Sequence, residues 1–400
     1  MNIIHGDCLE ELKKLDDNSV DAVITDPPYG LSNTKPAQVA DVLKAWVTGD
    51  TVSVPAKRGG FMGADWDSFV PPPAVWEECM RVLKSGGHMA VFAGARTQDL
   101  MGLSIRLAGF EIRDTLGWVY GSGFPKSHDI GKAINKAAGT QREASERWDG
   151  WGTALKPAIE PIILARKPLD GTVANNVLAH GVGGLNIDAC RVGIDDGERD
   201  VIDNRSGASA NNKTVTCYGD GLGQRKEEGL FKSHAAGRFP ANVLLDEHAA
   251  KEMDEQSVGT RAEKPSKSGN RGANLQGATW KNWGDPGEEL IKYADSGGAS
   301  RFFPVFKYQA KAPKKERPVI EREDGSKIQH STVKPLALME WLVSLIVPPG
   351  GVVLDPFAGS GTTLQAAINK GFQPIGIEQD ADYIKLIEKR FEATCTTRKN

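Results

Sequence analysis

An aspartate, two prolines and a tyrosine stand in a row at Asp26-Pro27-Pro28-Tyr29, with Gly30 next. They follow an apolar run, Val20-Asp21-Ala22-Val23-Ile24, that reads as a buried strand. Each proline fixes its own φ and pushes the residue before it toward an extended conformation. The Asp26 carboxylate and the Pro27 carbonyl are therefore aimed in fixed directions, with Tyr29 as a flat wall beside them. The same residue types also make ordinary strand-ending turns, so a second stretch has to decide between the readings.

That stretch is Asp355-Pro356-Phe357-Ala358-Gly359-Ser360-Gly361-Thr362-Thr363, which joins an apolar strand to a helix. Glycines let backbone approach a ligand closely, and a helix N-terminus offers N–H groups and positive potential to an anion. A Walker A loop needs Gly-Lys-Ser/Thr, and here Gly361 is followed by Thr362. The dinucleotide fingerprint is also unmet, because Leu364 stands where its third glycine belongs. One feature of that template is present. Glu378 lies 23 residues past Asp355, after Pro374-Ile375-Gly376-Ile377. A carboxylate there can hold two ribose hydroxyls. The ligand implied is a nucleoside with a small anionic group, and S-adenosylmethionine, with its carboxylate, fits.

These turns need strands behind them, and the chain supplies them in α/β order. Asn2–Ile4 reads as a strand, Leu9, Leu12 and Leu15 recur at helical spacing, and the strand before Asp26 comes next. Residues 31–73 are polar and punctuated by Gly and Pro, and read as a long loop. Trp76–Leu83 is helical, stopped by Lys84-Ser85-Gly86-Gly87, and Met89–Ala93 is a strand. Leu100–Leu107 is helical; Phe110–Tyr120 and Ala158–Ala165 are strands, with a helix capped near Ser127 expected between them. From Pro168 to about Ser300 the composition turns to Gly, Asn, Asp and Ser with short apolar islands such as Ala241–Leu245, and no element can be placed. Regular pattern returns with a helix at Leu336–Ile346, a strand at Val352–Leu354, a helix at Thr362–Lys370, a strand at Phe372–Ile377 and a helix at Tyr383–Phe391.

The totals exclude several classes. The chain has 400 residues, 40% hydrophobic and 25% charged, as ordinary soluble domains do. Its five cysteines show no CxxC spacing, so neither a disulfide framework nor a zinc site is indicated. The histidines show no ligand spacing either, and no metal is expected. No stretch approaches the ~18 apolar residues of a membrane span, and the N-terminus lacks a signal-peptide pattern. The cytoplasm of a bacterial or phage-infected cell is the expected location. Net charge is −3, yet residues 201–335 carry 22 Lys and Arg against 18 Asp and Glu. A modestly positive middle on an acidic body permits phosphate contact.

Taken together, the residues resemble an S-adenosylmethionine-dependent DNA amino-methyltransferase of the N6-adenine / N4-cytosine family. Asp26-Pro27-Pro28-Tyr29 is similar to that family's catalytic motif, and Asp355–Gly361 to its cofactor motif. His330-Ser331-Thr332-Val333-Lys334-Pro335 is similar to a third segment, usually written His-Pro-Thr-x-Lys-Pro, with Ser331 in place of the first Pro. Catalytic motif first and cofactor motif last is the permuted order called the β class. The resemblance covers residues 1–167 and 300–395. It implies an α/β, Rossmann-like methyltransferase sheet, mostly parallel with one antiparallel strand and circularly permuted. The catalytic domain would then be 1–167 and 300–400, with 168–299 an inserted, loop-rich target-recognition module.

The resemblance also assigns roles. An adenine or cytosine amino group is a poor nucleophile, because its lone pair is delocalised into the ring. Asp26 and the Pro27 carbonyl, in the turn stiffened by Pro28, would accept its two N–H groups and free that lone pair for in-line attack. Tyr29 would stack on a base flipped out of the duplex. Phe357, Gly359, Gly361 and Thr362 would line the methionine end of the cofactor, and Glu378 would take its ribose. Asp7, with Cys8 beside it, would meet the cofactor's adenine, although Asp7 also reads as a helix N-cap. Thr332 and Lys334 would touch the methionine carboxylate, with a solvated lysine as the alternative. Arg301, Lys311, Lys314, Lys315 and Arg317 are candidate phosphate contacts, or a solvated charged surface. Trp280 and Trp283 would fill the gap left by the flipped base, or belong to a core.

Asp at the first motif position favours adenine N6, since cytosine-N4 enzymes more often begin with Ser. Methylation of protein glutamine, where a related Asn-Pro-Pro-Tyr motif serves, and a DNA-binding protein without catalysis are the rival readings. The expected partner is double-stranded DNA, with no membrane; a homodimer is compatible, and a cognate nuclease is left open.

Overall fold

The computed structural model describes residues 2–32, 34–55, 65–121, 123, 127–138, 146–194, 198–199, 234–257, 297–306, 317–322, 324–330 and 332–397. Its strands are β1 (Asn2–His5), β2 (Val20–Thr25), β3 (Leu83–Phe92), β4 (Glu111–Val119), β5 (Ile159–Arg166), β6 (Val243–Asp246), β7 (Val305–Phe306), β8 (Val319–Glu321), β9 (Lys327–Gln329), β10 (Val352–Asp355) and β11 (Gln373–Glu378). Nine of them form one sheet in the order β1-β11-β10-β2-β3-β5-β4-β6-β7, while β8 and β9 make a separate pair. Only β5 runs against its neighbours β3 and β4; the other pairings in the large sheet are parallel. The expected architecture, a mostly parallel sheet with one antiparallel strand, is what the chain forms.

Burial on both faces explains why these segments are strands. In β2, Val23 packs into one core with Leu12, Trp76 and Met89. Its neighbours Ala22 and Ile24 point the other way, into a second core with Leu338, Leu342 and Phe92. Strand side chains alternate faces, so a one-residue slip would exchange the two sets. Burying each large apolar side chain contributes ~1.5–3 kcal/mol, which fixes the register far more firmly than surface charge pairs, worth under ~1 kcal/mol each. Asp21 is the charged member of this buried strand. It is paired with the Lys84 ammonium at 2.6 Å and accepts the Val352 N–H at 2.7 Å, pinning β2 between β3 and β10.

Several expectations need correction. Residues 31–73 are not one loop: Pro36–Val47 is a helix, with Pro36 in its first turn and Val42 and Trp46 buried. Its apolar residues Val39, Val42, Leu43 and Trp46 follow helical spacing that the surrounding polar residues obscure. The helix Pro73–Val82 passes directly into β3 at Leu83, so Lys84–Gly87 are strand rather than a helix stop, accommodated by a register shift against β2. The helix expected between β4 and β5 does form, at Ile130–Ala138, but two residues past Ser127 it is capped by Asp129, whose carboxylate accepts the Lys132 N–H; Ser127 itself accepts from Thr153 and Ala154. Between 168 and 300, where no element was expected, Val173–His180 and Glu247–Ser257 are helices. The apolar island at Val243–Asp246 becomes β6, paired with β4.

Candidate active site

Parallel strands bring their carboxyl ends to one rim. Asp7 follows β1, Glu378 ends β11, Asp355 ends β10, Asp26 follows β2 and Phe92 ends β3. In open α/β sheets this rim is where ligands bind. The two sequence motifs, 330 residues apart, meet here through one buried hydrogen bond: Thr25 Oγ1 donates to Asp355 Oδ1 at 2.7 Å.

The Asp26–Tyr29 turn is held from three sides. Asp67 Oδ1 accepts both the Tyr29 N–H at 2.7 Å and the Gly30 N–H at 2.9 Å. Thr97 Oγ1 donates to the Tyr29 carbonyl at 2.6 Å. Gly30 has φ +68°, and a Cβ there would meet the Val70 backbone nitrogen at 2.8 Å, so glycine is required for the close approach. Neither Asp67 nor Thr97 could be singled out from sequence, because a lone Asp or Thr in an irregular segment carries no motif.

Four polar side chains interlock above the turn. Tyr29 Oη donates to Asp26 Oδ1 at 2.7 Å. The Lys334 ammonium donates to Asp26 Oδ2 at 2.7 Å and to Tyr29 Oη at 3.0 Å, and lies 3.3 Å from Glu160 Oε2. Glu160 Oε2 is also 3.3 Å from Tyr29 Oη. The phenol has one proton, so the shorter contact, to Asp26, takes it. The Lys334 ammonium lies over the Phe92 and Tyr29 rings, 4.9 Å and 5.3 Å from their centroids. Burial disfavours the ammonium, but the Asp26 and Glu160 carboxylates outweigh it and hold the Lys334 pKa above its usual range. Burial, followed by the Asp26 and Glu160 charges, pushes the Tyr29 phenol well up. Lys334 is thus neither a solvated lysine nor free toward the Asp355 turn: its ammonium sits on the Asp26 motif. Glu160 stands at the start of β5, and only the reversed direction of that strand brings its N-terminal end to this rim.

The Asp355–Gly361 turn leads into the helix Thr362–Asn369, with Gly361 at its N-cap in the left-handed region, φ +78°. Asp355 is buried and accepts from the Phe357 N–H at 3.1 Å. Burial pushes its carboxyl up to about 6, against hydrogen bonds from Thr363, Thr25 and Phe357 that favour the charged form. Glu378 accepts the Gly359 N–H at 2.8 Å and the Asp380 N–H at 2.9 Å, one on each carboxylate oxygen. Each oxygen retains a second acceptor site. Burial raises the Glu378 pKa despite those two bonds. Arg390, not foreseen from sequence, braces the turn from behind by donating to the Ser360 carbonyl at 2.7 Å. Thr362 is buried at the start of the helix, and the Phe357 ring tilts against Trp76 at 6.4 Å.

Asp7 is the N-cap of the helix Cys8–Leu12, its Oδ1 accepting from Leu9 at 3.0 Å and Glu10 at 3.3 Å. It nevertheless stands beside Glu378, since the Gly6 N–H donates to the Glu378 carbonyl at 3.0 Å. Burial, then the Asp7 charge, pushes the Cys8 thiol up to about 12, so Cys8 is a packing residue and not a thiolate. Thr332 is exposed; its backbone carbonyl and N–H both meet His330 Nδ1, and the His330 ring packs edge-on against Tyr383 at 4.7 Å.

Arg301 is engaged within the protein. It pairs with Glu198 at 2.8 Å, donates to the Gly297 and Gly298 carbonyls, and stacks on Phe302 at 4.5 Å. Arg238 pairs with the same glutamate. Arg317 lies just before β8. Lys311, Lys314, Lys315, Trp280 and Trp283 lie outside the described residues. Among the described residues, no helix is long and apolar enough to cross a membrane.

Residues 20–389 match the profile of a family described as DNA methylase. The chain is 29% identical over 204 residues to the type II methyltransferase M.HindIII of Haemophilus influenzae, a match spanning 46% of this chain and 64% of that one. It is 46% identical over 63 residues to the DNA adenine methyltransferase YhdJ of Escherichia coli, 16% of this chain and 21% of the relative. Both matches thus span less than two thirds of the relative's length. Among solved structures, a DNA modification methylase from Thermus thermophilus, complexed with S-adenosyl-L-methionine, aligns with a TM-score of 0.41 at 18% identity, covering 98% of this chain and 95% of that one.

Proposed function

The chain belongs to the DNA methylase family, and from that premise we propose that it is a site-specific methyltransferase acting on the exocyclic N6 of adenine in double-stranded DNA. The observation that carries this reading is the Thr25–Asp355 hydrogen bond, which sets a rigid Asp-Pro-Pro-Tyr turn beside a glycine turn and its acid on one rim. S-adenosylmethionine is the methyl donor. The residues present suit it: Glu378 keeps acceptor sites for ribose hydroxyls, and the N-terminus of the helix Thr362–Asn369 offers N–H groups to a carboxylate. When bound, the cofactor supplies an electrophilic methyl on a sulfonium.

The chain's own groups do the rest. The Asp26 carboxylate and the Pro27 carbonyl accept the two amino N–H groups of a flipped base, pulling its nitrogen toward tetrahedral geometry. The lone pair so freed is directed at the methyl carbon. The bound cofactor would supply the methyl group and leave as the neutral thioether, and Asp26 is placed to accept the proton that the nitrogen sheds. Tyr29 supplies the stacking wall. Recognition of the target sequence falls to residues 168–299, inserted in a catalytic domain whose motif order is permuted. Adenine is favoured over cytosine by the aspartate at the first motif position.

The test is digestion of DNA from cells expressing the protein to nucleosides, followed by mass spectrometry. N6-methyladenine, absent without the protein, is the expected product. N4-methylcytosine alone would reassign the base, and neither product would remove the reading.

A further inference from the structure

Each Asp26 oxygen already accepts one hydrogen bond, so an incoming amino group must share an oxygen with its present donor or displace that donor. Lys334 donates to Asp26 Oδ2 at 2.7 Å, while Tyr29 occupies Oδ1. We propose that Lys334 stands in for the substrate amino group in the free enzyme, and that Glu160 is the positioning residue which takes over its ammonium when the base arrives. The inference rests on the reading of this site as a DNA amino-methylation centre.

The geometry provides the exchange. Lys334 has three N–H donors and three acceptors around it: Asp26 at 2.7 Å, Tyr29 Oη at 3.0 Å and Glu160 at 3.3 Å. Charge-assisted N–H···O bonds run about 2.7–2.9 Å, so the Glu160 contact is the slack one. The ammonium needs to move only about half an ångström toward Glu160 to make it a full bond. Lys334 is too enclosed to leave for water: its side chain is 12% exposed, packed over Phe92 and Tyr29. A partner must therefore be waiting inside the site. Among the described residues, the side-chain partners of Glu160 are Lys334 and Tyr29, so it has no other structural task there.

Electrostatics points the same way. Two carboxylates and one ammonium leave the cluster with one net negative charge. As the methyl is transferred, the amino nitrogen gains positive charge beside Asp26. An ammonium still seated on that carboxylate would oppose the change, and one drawn onto Glu160 would oppose it less.

The test measures binding, so that it survives loss of turnover. Duplexes carrying the mapped target base, or the same base without its amino group, are titrated into the protein with S-adenosylhomocysteine present. Affinity ratios are compared for wild type, Glu160→Gln, Lys334→Met and the double variant, a cycle that isolates the coupling. Glu160→Gln is expected to reduce preference for the amino-bearing duplex about tenfold when Lys334 is present, and less than about twofold in the Lys334→Met background. An unchanged ratio in Glu160→Gln, or equal losses in both backgrounds, overturns the proposal. Glu160→Asp, which keeps the charge but shortens the reach, serves as a second variant should the first fail to fold. It is expected to lower the ratio in the same way, and an unchanged ratio counts equally against the proposal. Failure of the wild type to methylate any DNA would instead remove the functional reading, and this inference with it.

Discussion

Asp355 illustrates how a single residue can serve two ends. It anchors the glycine turn and, through Thr25, the neighbouring strand that carries Asp26. Burial raises its carboxyl to about 6 from an ordinary 3.8. A carboxyl raised on folding binds its proton more tightly in the native state, so its contribution is full below the unfolded value. That contribution is lost as pH rises through the folded one. The span of about two pH units corresponds to on the order of 3 kcal/mol. The stability of the wild type relative to Asp355→Asn should therefore fall by that order between pH 4 and pH 6.5, read from urea unfolding at each pH. A difference that stays flat across the window would mean that the buried carboxyl is not the titrating group. Sequence alone marked Asp26, Asp355 and Glu378, because each ends or follows a legible strand. It could not mark Glu160 or Asp67, whose roles exist only once distant strands are brought side by side.

At the scale of elements, the glycine turn is the joint on which cofactor binding depends under the proposed function. Gly361 is left-handed at φ +78°, and a Cβ there would lie 3.1 Å from Ile387. Left-handed backbone costs a non-glycine residue about 1–2 kcal/mol, and the contact adds to it. Gly361→Ala should lower the unfolding free energy by that amount and weaken S-adenosylmethionine about tenfold by calorimetry; unchanged values for both would show the turn to be a passive connection. Elements with strong local signals were legible. The helix Leu336–Ile346 has the bounds its pattern gave, and the strand pair around Asp355 and Glu378 was placed to within a residue or two. The helix Pro36–Val47 was hidden by its polar surroundings, although Trp46 is buried against Phe69. β6 was hidden for a different reason. Four residues form a strand only because β4, more than a hundred residues earlier, offers them an edge.

Over the whole molecule, one parallel rim gathers the ends of β1, β11, β10, β2 and β3, and the one reversed strand adds Glu160 to it. The sheet therefore makes a single edge from both halves of the chain, and the proposed function places catalysis there. The glycine turn and the Asp26–Tyr29 turn are adjacent yet separable on that edge, since Asp26 contacts Tyr29 and Lys334 whereas Glu378 contacts the glycine turn. The central claim is that Asp26 acts on the substrate amino group and not on cofactor capture. The direct measurement is transfer of labelled methyl from S-adenosylmethionine to DNA by Asp26→Ala, with cofactor affinity measured on the same preparation. Loss of an acceptor aimed at developing charge costs about 10²–10³ in rate. Transfer reduced at least about a hundredfold, with cofactor affinity within about twofold of wild type, is the expected result. Transfer within about tenfold of wild type would contradict the claim.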